Sequence, residues 1–174
     1  NGNITEAKDS MLYLENISLN GPVKIDSVKL GEDGTFDFQE NAMDSITPEF
    51  YRLRIANQTI NLSIDSTETV TVKAAYPQMS YKYEVEGSEN CNTIKELSLK
   101  QMLLQSNING IVKNPNIGVD SVDVIVARML NDYKQDIKRN YIFKAPMQAS
   151  SYYALFQTIQ LGNTNSLKFN PRNN

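Results

Sequence analysis

The stretch Phe50–Lys73, FYRLRIANQTINLSIDSTETVTVK, decides the fold because apolar and polar residues alternate along it. This period of two is typical of a strand with one buried face. The runs YRLRI and INLSI are followed by a third run, TVTV. Asn57-Gln58 between the first two runs predicts a tight hairpin, since asparagine tolerates the positive φ that such turns need, and Ser66-Thr67 begins the next reversal. The sequence therefore predicts three successive antiparallel strands.

Short alternating segments on both sides of this stretch predict further strands. They lie at Ile4–Ala7, Met11–Ile17, Val23–Leu30, Thr35–Gln39 and Tyr81–Glu86. The alternation changes part-way through Val23–Leu30, which predicts a bend or bulge in that strand. In Thr35–Gln39 the alternation places Phe36 and Phe38 on one face. Asp33-Gly34 is the strongest hairpin signal in the sequence. Together these segments predict an antiparallel β-sandwich or partly open barrel over residues 1–87.

After Gly87 the apolar spacing changes from two to 3.6, which indicates helices. Ser88 is the predicted N-cap of a first helix of roughly 15–18 residues. Asn107–Gly118 is predicted to be a loop, because it combines glycine, proline and asparagine. Residues 88–174 are therefore predicted to form a helical subdomain, which makes the fold class α+β.

Two more helices are predicted in that subdomain. Asp120 or Ser121 caps the second helix, whose apolar face continues to Tyr141. The third runs from about Pro146 to Leu161, with proline in its first turn.

Composition excludes several classes of function. The 174 residues carry a net charge of −3, so the chain has no basic footprint for nucleic acid, and no apolar run approaches the roughly 20 residues of a membrane helix. The sequence has no histidine, which removes histidine bases, Ser-His-Asp systems and histidine metal sites. It has one cysteine, which removes internal disulfides and CxxC pairs.

Acidic residues give two candidate sites, each with a structural alternative. Asp26 and Asp65 occur in matching Ile-Asp-Ser segments and can be interpreted as paired carboxylates for acid-base chemistry, or as ordinary turn formers. Glu32-Asp33-Gly34 with Asp37 can be interpreted as a calcium loop, but the spacing of an EF-hand is incomplete and a turn explains it better.

Cys91 and the tyrosines are the remaining candidates. Cys91 lies where a helix N-terminus would lower the pKa of a thiol, yet its spacing from Ile94 and Leu97 predicts a small core residue. The sequence has two tyrosine pairs of interest, Tyr81 with Tyr83 in a predicted strand and Tyr152 with Tyr153 in a predicted helix. Such tyrosines pack against other side chains more often than they stack on a ligand. The sequence predicts no catalytic, cofactor-binding or metal-ligating residue.

Three short motifs carry a family resemblance. They are Ile25-Asp26-Ser27-Val28, Asp33-Gly34-Thr35-Phe36-Asp37-Phe38 and Val85-Glu86-Gly87-Ser88. With these motifs the chain resembles, over about residues 4–169, the N-terminal domain of unknown function of thiol:disulfide interchange proteins from Bacteroidetes. The resemblance implies that helices and a thioredoxin-like domain with CxxC follow the β domain, behind a secretory or lipoprotein signal.

The expected function follows from the resemblance. It is a noncatalytic accessory region of a periplasmic or cell-envelope thiol-disulfide oxidoreductase, without cofactors. The expected partner is its own C-terminal thioredoxin-like domain, and envelope protein substrates or a second copy of the chain are the alternative partners. The alternatives are an envelope module that binds a glycan or peptide and, third, an enzyme using the two aspartates. The polar tail Asn163–Asn174 is interpreted as a cut inside a longer protein.

A docking surface for the missing domain is also expected, because the second and third helices are richer in apolar side chains than a two-helix layer needs. Its predicted residues are Met129, Tyr133, Ile137, Tyr141, Tyr152, Leu155 and Phe156.

Overall fold

A computed structural model describes residues 1–18, 20–39, 49–65 and 67–142 of the chain. Strands come first, at β1 (Gly2–Thr5), β2 (Met11–Ser18), β3 (Gly21–Lys29), β4 (Thr35–Phe36), β5 (Glu49–Ile55), β6 (Gln58–Ile64), β7 (Thr71–Ala75) and β8 (Tyr83–Glu86). The helices α1 (Glu89–Lys113) and α2 (Val119–Ile137) follow, and a π-helical turn, Lys138–Ile142, extends α2. The predicted α+β class, with helices C-terminal to the strands, is confirmed. The predicted third helix and the tail lie outside the described residues.

The strands form two four-stranded sheets that are not closed into a barrel. Sheet I has the order β4-β1-β7-β8, and sheet II has the order β3-β2-β5-β6. The described strands pair antiparallel except for β1 and β7, which pair parallel from Gly2 opposite Val72 to Thr5 opposite Ala75. The sequence did not predict this parallel pair, because alternation identifies a half-buried strand and not its neighbour.

The predicted meander is half right. β5 and β6 form the expected hairpin, but the residue with positive φ is Ala56 (φ 51°) and not Asn57. The third run, β7, leaves sheet II and joins sheet I. A turn begins this crossing, in which Asp65 Oδ1 accepts hydrogen bonds from Thr67 N (2.8 Å) and Thr67 Oγ1 (2.6 Å). The chain does reverse at this point, but into the opposite layer.

The predicted hairpin at Asp33-Gly34 is wrong for a similar reason. The turn exists, with Gly34 at φ +68°, yet β3 before it belongs to sheet II and β4 after it to sheet I. Gly34 instead lies against β1, and its carbonyl accepts a hydrogen bond from Ile4 N at 2.9 Å. A Cβ at Gly34 would lie 1.9 Å from Ile4 O, so only glycine fits this approach.

The predicted bulge in the Val23–Leu30 segment is confirmed. Leu14 of β2 pairs with Asp26, while the next residue, Glu15, pairs with Lys24, which leaves Ile25 as the extra residue. Bulges and lysines discourage pairing with a further strand, and β3 is an edge of sheet II.

The hydrophobic core of the β domain lies between the sheets. Buried side chains of sheet I meet those of sheet II in one cluster, which includes Ile4, Val72, Tyr83 and Val85 from the first and Leu12, Leu14, Leu53, Ile60 and Leu62 from the second. Cys91 belongs to the same cluster, so the first turn of α1 is part of this core. The residues form two compact units, Asn1–Ser98 and Leu99–Asn174.

The helix α1 begins as predicted and ends later. Ser88 Oγ accepts a hydrogen bond from Cys91 N at 3.2 Å, which confirms the N-cap. The helix has 25 residues and includes residues 107–113 of the predicted loop. The buried Leu104 precedes Asn107 and the buried Ile108 follows it, so the apolar stripe continues into the predicted loop. Tertiary burial of that stripe outweighs the weak helix propensity of asparagine and glycine.

The helix α2 corrects two expectations. Its N-cap is Gly118, without a side-chain hydrogen bond, and Asp120 lies in the first turn instead of capping it. Of the predicted docking surface, Tyr133 and Ile137 are buried and therefore not available to a partner. The exposed large apolar residues of the described helices are Met102, Leu103 and Val112 on α1 and Val119 and Val124 on α2.

Candidate functional site

A cleft of about 570 Å³ lies between the two sheets and is partly open to solvent. Sheet II contributes Leu14, Tyr51, Leu53, Leu62 and Ile64 to its lining, and sheet I contributes Phe36 and Val72. Cores usually pack with few voids larger than a water molecule, whereas ligand sites measure roughly 300–1,000 Å³. The cleft is therefore in the size range of a ligand site.

Two of the crossings between the sheets supply the carboxylates of this cleft. Asp37 follows β4, and Asp65 and Glu68 lie between β6 and β7. Hydrogen bonds from Thr67 hold the pKa of Asp65 below its usual value, so this carboxylate is anionic at neutral pH. Glu68 Oε2 accepts a hydrogen bond from Asp65 N at 3.3 Å, which ties the two acidic residues together.

Aromatic rings form another part of the lining. Phe36 and Phe38 lie on one face, as predicted, with ring centroids 5.8 Å apart and planes tilted by 44°. The hydroxyl of Tyr51 donates to Glu49 Oε2 at 2.7 Å, which fixes the position of its ring. Sequence reasoning recognised the two phenylalanines but not the cleft, because its lining comes from five separate parts of the chain.

The two candidate aspartates are not a catalytic pair. Asp26 lies on β3 and Asp65 directly follows β6, and these strands are the opposite edges of sheet II. Three strand spacings separate them, which is at least roughly 14 Å. Asp26 lies on the exposed edge strand, where its Oδ1 accepts a hydrogen bond from Ser27 N at 2.7 Å. Only Asp65 contributes to the cleft.

The acidic segment that resembles a calcium loop is a turn. Asp33 Oδ1 accepts a hydrogen bond from Thr35 N at 3.2 Å, and Oδ2 accepts one from Thr35 Oγ1 at 3.0 Å. Asp37 Oδ2 lies 3.5 Å from Gln39 Nε2. Within the described ranges, no three His, Cys, Asp or Glu side chains lie close enough to hold a metal ion.

Cys91 is a core residue that also completes a strand edge. Its side chain is 0% exposed, as are those of Ile94 and Leu97 on the same face, which confirms the predicted core position. Cys91 Sγ accepts a hydrogen bond from Ser63 N (3.4 Å) and donates one to Ser63 O (3.0 Å). Burial raises the pKa of this thiol. The side chain thus takes the place of a neighbouring strand at the β6 edge.

The tyrosines of the β8 region differ from each other. Tyr83 is buried in the core, and Lys95 Nζ lies 5.2 Å from its ring centroid, whereas Tyr81 is exposed. Tyr83 therefore packs, as the structural alternative predicted. The pair Tyr152 and Tyr153 lies outside the described residues.

The outer face of sheet II carries a charged cluster that sequence reasoning missed. Glu15 is only 6% exposed, and its Oε1 accepts hydrogen bonds from Arg52 Nε (3.1 Å) and Arg54 Nε (2.9 Å). The guanidinium of Arg54 also lies over the ring of Tyr13, 4.6 Å from its centroid. Because both arginines are committed to these contacts, we interpret the cluster as structural.

Comparison with known proteins places the β domain in a family. No curated protein matches the sequence. Neither described helix is both long and apolar enough to cross a lipid bilayer. A family model, the domain of unknown function DUF4369, matches residues 1–94, which include all eight described strands, the cleft and Cys91. This match covers more than half of the 174 residues, and the chain therefore belongs to the family of the domain of unknown function DUF4369.

Proposed function

We propose that the chain is a noncatalytic accessory region of a periplasmic or cell-envelope thiol-disulfide oxidoreductase. In this role it positions a thioredoxin-like domain that follows it, or that domain's partner, and the whole protein is secreted or lipid-anchored. The proposal combines the sequence resemblance with one structural observation, the environment of Cys91.

That environment argues against catalysis by the chain itself. Thiol-disulfide exchange needs an exposed thiolate and a second thiol that resolves the mixed disulfide. Cys91 is fully buried, burial raises the pKa of its thiol, and both of its hydrogen bonds go to Ser63. The sequence holds no second cysteine. Any exchange activity of the parent protein must therefore come from another part of it.

The first test compares four proteins in the reduction of insulin by dithiothreitol. We expect the 174-residue chain to match the control without protein and the full-length parent to accelerate the reaction. A Cys91→Ser substitution in the parent is expected to leave turnover unchanged, and replacement of the first cysteine of the downstream CxxC is expected to abolish it. The proposal fails if the part of the same gene downstream of residue 174 encodes no CxxC motif. It also fails if Cys91→Ser abolishes turnover by the parent protein.

A second test addresses positioning. The most exposed large apolar residues of the described helices are candidates for contact with a following domain: Val119 is 70% exposed, Leu103 62% and Val124 61%. We expect amide hydrogen exchange across residues 99–137 to be slower in the full-length protein than in the chain alone. The edge strand β3 provides the internal control and should exchange equally in both. Equal exchange across α1 and α2 as well would contradict a positioning role for these helices.

A second candidate function is binding of a peptide or glycan by the β domain. The cleft of about 570 Å³ favours it, since this volume is unusual inside a packed sandwich. A coding sequence that stops near Asn174 would favour this candidate over the first. Its direct test is ligand binding, with loss of binding in variants of the cleft.

A further inference from the structure

We propose that the cleft binds a polypeptide segment through an arginine or lysine side chain. This inference rests on the second candidate function, binding by the cleft, and adds the chemical class of its ligand. It follows from the arrangement of charge, aromatic surface and strand edge around the cleft.

The charged side chains described in the lining all carry negative charge. Asp37, Asp65 and Glu68 contribute carboxylates, and none of the described lysine or arginine side chains is part of the lining. Asn1 also lines the cleft, and its positive α-ammonium already donates a hydrogen bond to a backbone carbonyl at 3.0 Å, so the three carboxylates outnumber one engaged cation. Both hydrogen bonds that Thr67 donates to Asp65 are accepted by Oδ1. A cationic group near these three side chains gains charge-assisted hydrogen bonds, whereas an anionic ligand is repelled.

The apolar part of the lining suits the remainder of such a side chain. Arginine and lysine carry three or four methylene groups, which pack on apolar surface while the charged head reaches polar partners. Phe36, Phe38 and Tyr51 provide this surface, and aromatic faces also attract cations. The cleft therefore offers both halves of the contact that a long basic side chain needs.

A polypeptide is favoured over a free amine by the strand that borders the cleft. Among the described strands β4 is an edge of sheet I and pairs with β1, and residues 36–39 continue from it along the lining. An extended peptide can pair with such an edge through its backbone while one side chain enters the cleft. The volume, equal to roughly twenty water molecules at about 30 Å³ each, exceeds the needs of a small cation.

The test uses fluorescence anisotropy with acetylated and amidated Gly-Ser peptides of about eight residues. Their central residue is arginine, lysine, citrulline or glutamate. We expect the arginine and lysine peptides to bind, with affinity that falls between about 20 mM and about 200 mM salt. The citrulline peptide, which has nearly the same shape without the charge, is expected to bind about tenfold more weakly or not at all.

Variants locate the binding. Asp37→Asn changes a carboxylate whose contact with Gln39 Nε2 is long, at 3.5 Å, and should weaken binding of the arginine peptide about tenfold. Asp65→Asn should weaken binding of this peptide as well. Its matched control is Asp33→Asn, because Asp33 also accepts hydrogen bonds from the backbone N and the hydroxyl of a threonine two residues later but lies outside the cleft. Equal weakening by Asp33→Asn and Asp65→Asn would overturn the assignment to the cleft.

The remaining outcomes separate this inference from the function on which it rests. Equal binding of the citrulline and arginine peptides would keep the cleft as a ligand site and refute the cationic ligand. Binding of neutral oligosaccharides with an affinity that Asp37→Asn does not change would have the same meaning. Binding of free arginine amide as tightly as of the peptide would refute the polypeptide. If none of these probes binds, both the cleft function and its ligand class are refuted, and the accessory role proposed from Cys91 is unaffected.

Discussion

Replacing Cys91 by alanine should destabilise the β domain more than replacing it by serine. This order is the reverse of that expected for a buried residue in a purely apolar site, where the hydroxyl of serine would be the larger penalty. The reason is the pair of hydrogen bonds between Cys91 Sγ and the backbone of Ser63, at 3.4 Å and 3.0 Å. Serine can both donate and accept there, whereas alanine can do neither.

The magnitudes follow from the groups left without partners. Alanine leaves the amide and the carbonyl of Ser63 buried and unsatisfied, and each such group costs about 1–3 kcal/mol. With partial relaxation we expect a loss of about 3 kcal/mol of unfolding free energy for Cys91→Ala and about 1 kcal/mol for Cys91→Ser. Ile94→Val is the control on the same 0% exposed face, and it removes one methylene group without affecting a hydrogen bond, at about 1 kcal/mol.

Urea unfolding followed by circular dichroism measures these differences. With a slope of about 2 kcal/mol per molar urea, the alanine variant should unfold about 1 M earlier than the serine variant. If alanine proves as stable as serine, the thiol does not complete the edge of β6.

Three further predictions concern the two units separately. Gly34→Ala should lower the free energy of unfolding by more than about 3 kcal/mol, because its Cβ would lie 1.9 Å from Ile4 O. The control is Gly31→Ala, which should change the urea midpoint little because its Cβ would meet only Asp33 Oδ1, at 3.6 Å. Gly110→Ala should raise stability by up to about 1 kcal/mol, since the residue lies inside α1 and a new Cβ would meet nothing within 4 Å apart from its chain neighbours and the local helix backbone. An unchanged or lower melting temperature would contradict this. The hydrogen bond from Lys100 Nζ to Asp136 Oδ2, 3.0 Å long, lowers the pKa of Asp136 in the folded protein below 3.8. The stability that this carboxylate contributes is therefore complete above pH 3.8, and it is lost as the pH falls through the folded-state pKa. Because the pair is more than a third exposed, Asp136→Asn should cost only about 0.5 kcal/mol at pH 7, and this difference from the unsubstituted protein should shrink at acid pH in urea titrations.

The sequence predicted those parts of the fold that depend on neighbours in the chain. The alternation around Leu53 and Leu62 identified β5 and β6, and Ser88 identified the start of α1, because hairpin pairing and helix capping act within a few residues. The destination of β7 was not predictable in the same way. Its partners, β1 and β8, are chosen by burial of both sheets against each other, and the alternation of TVTV is compatible with either sheet.

The cleft was harder to predict than the strands, because its lining residues are far apart in the sequence. Sequence reasoning placed Phe36 and Phe38 on one face and Cys91 in the core, and both placements are confirmed. It singled out Asp65 for the wrong partner, since Asp26 lies at the opposite edge of sheet II. The association of Asp65 with Asp37 depends on two crossings between the sheets, and nothing local in the sequence distinguishes a crossing from a hairpin turn.

The position of β1 in the middle of sheet I determines the order in which this domain can fold during synthesis. β1 is translated before all of its partners, yet its parallel partner, β7, begins only at Thr71. Sheet II, by contrast, is complete when Ile64 has left the ribosome. Contacts between residues far apart in sequence form slowly, because the intervening loop must close first.

A nascent chain therefore passes through an interval in which all strands of sheet II have been synthesised while β7 and β8, which help to cover its inner apolar face, have not. Exposed apolar sheet surface is where newly made chains aggregate or recruit chaperones. The interval ends only when the first few residues return to pair between β4 and β7. Yield and solubility during expression should accordingly respond more to changes at Gly2–Thr5 than to equally small changes at the edge strand β3.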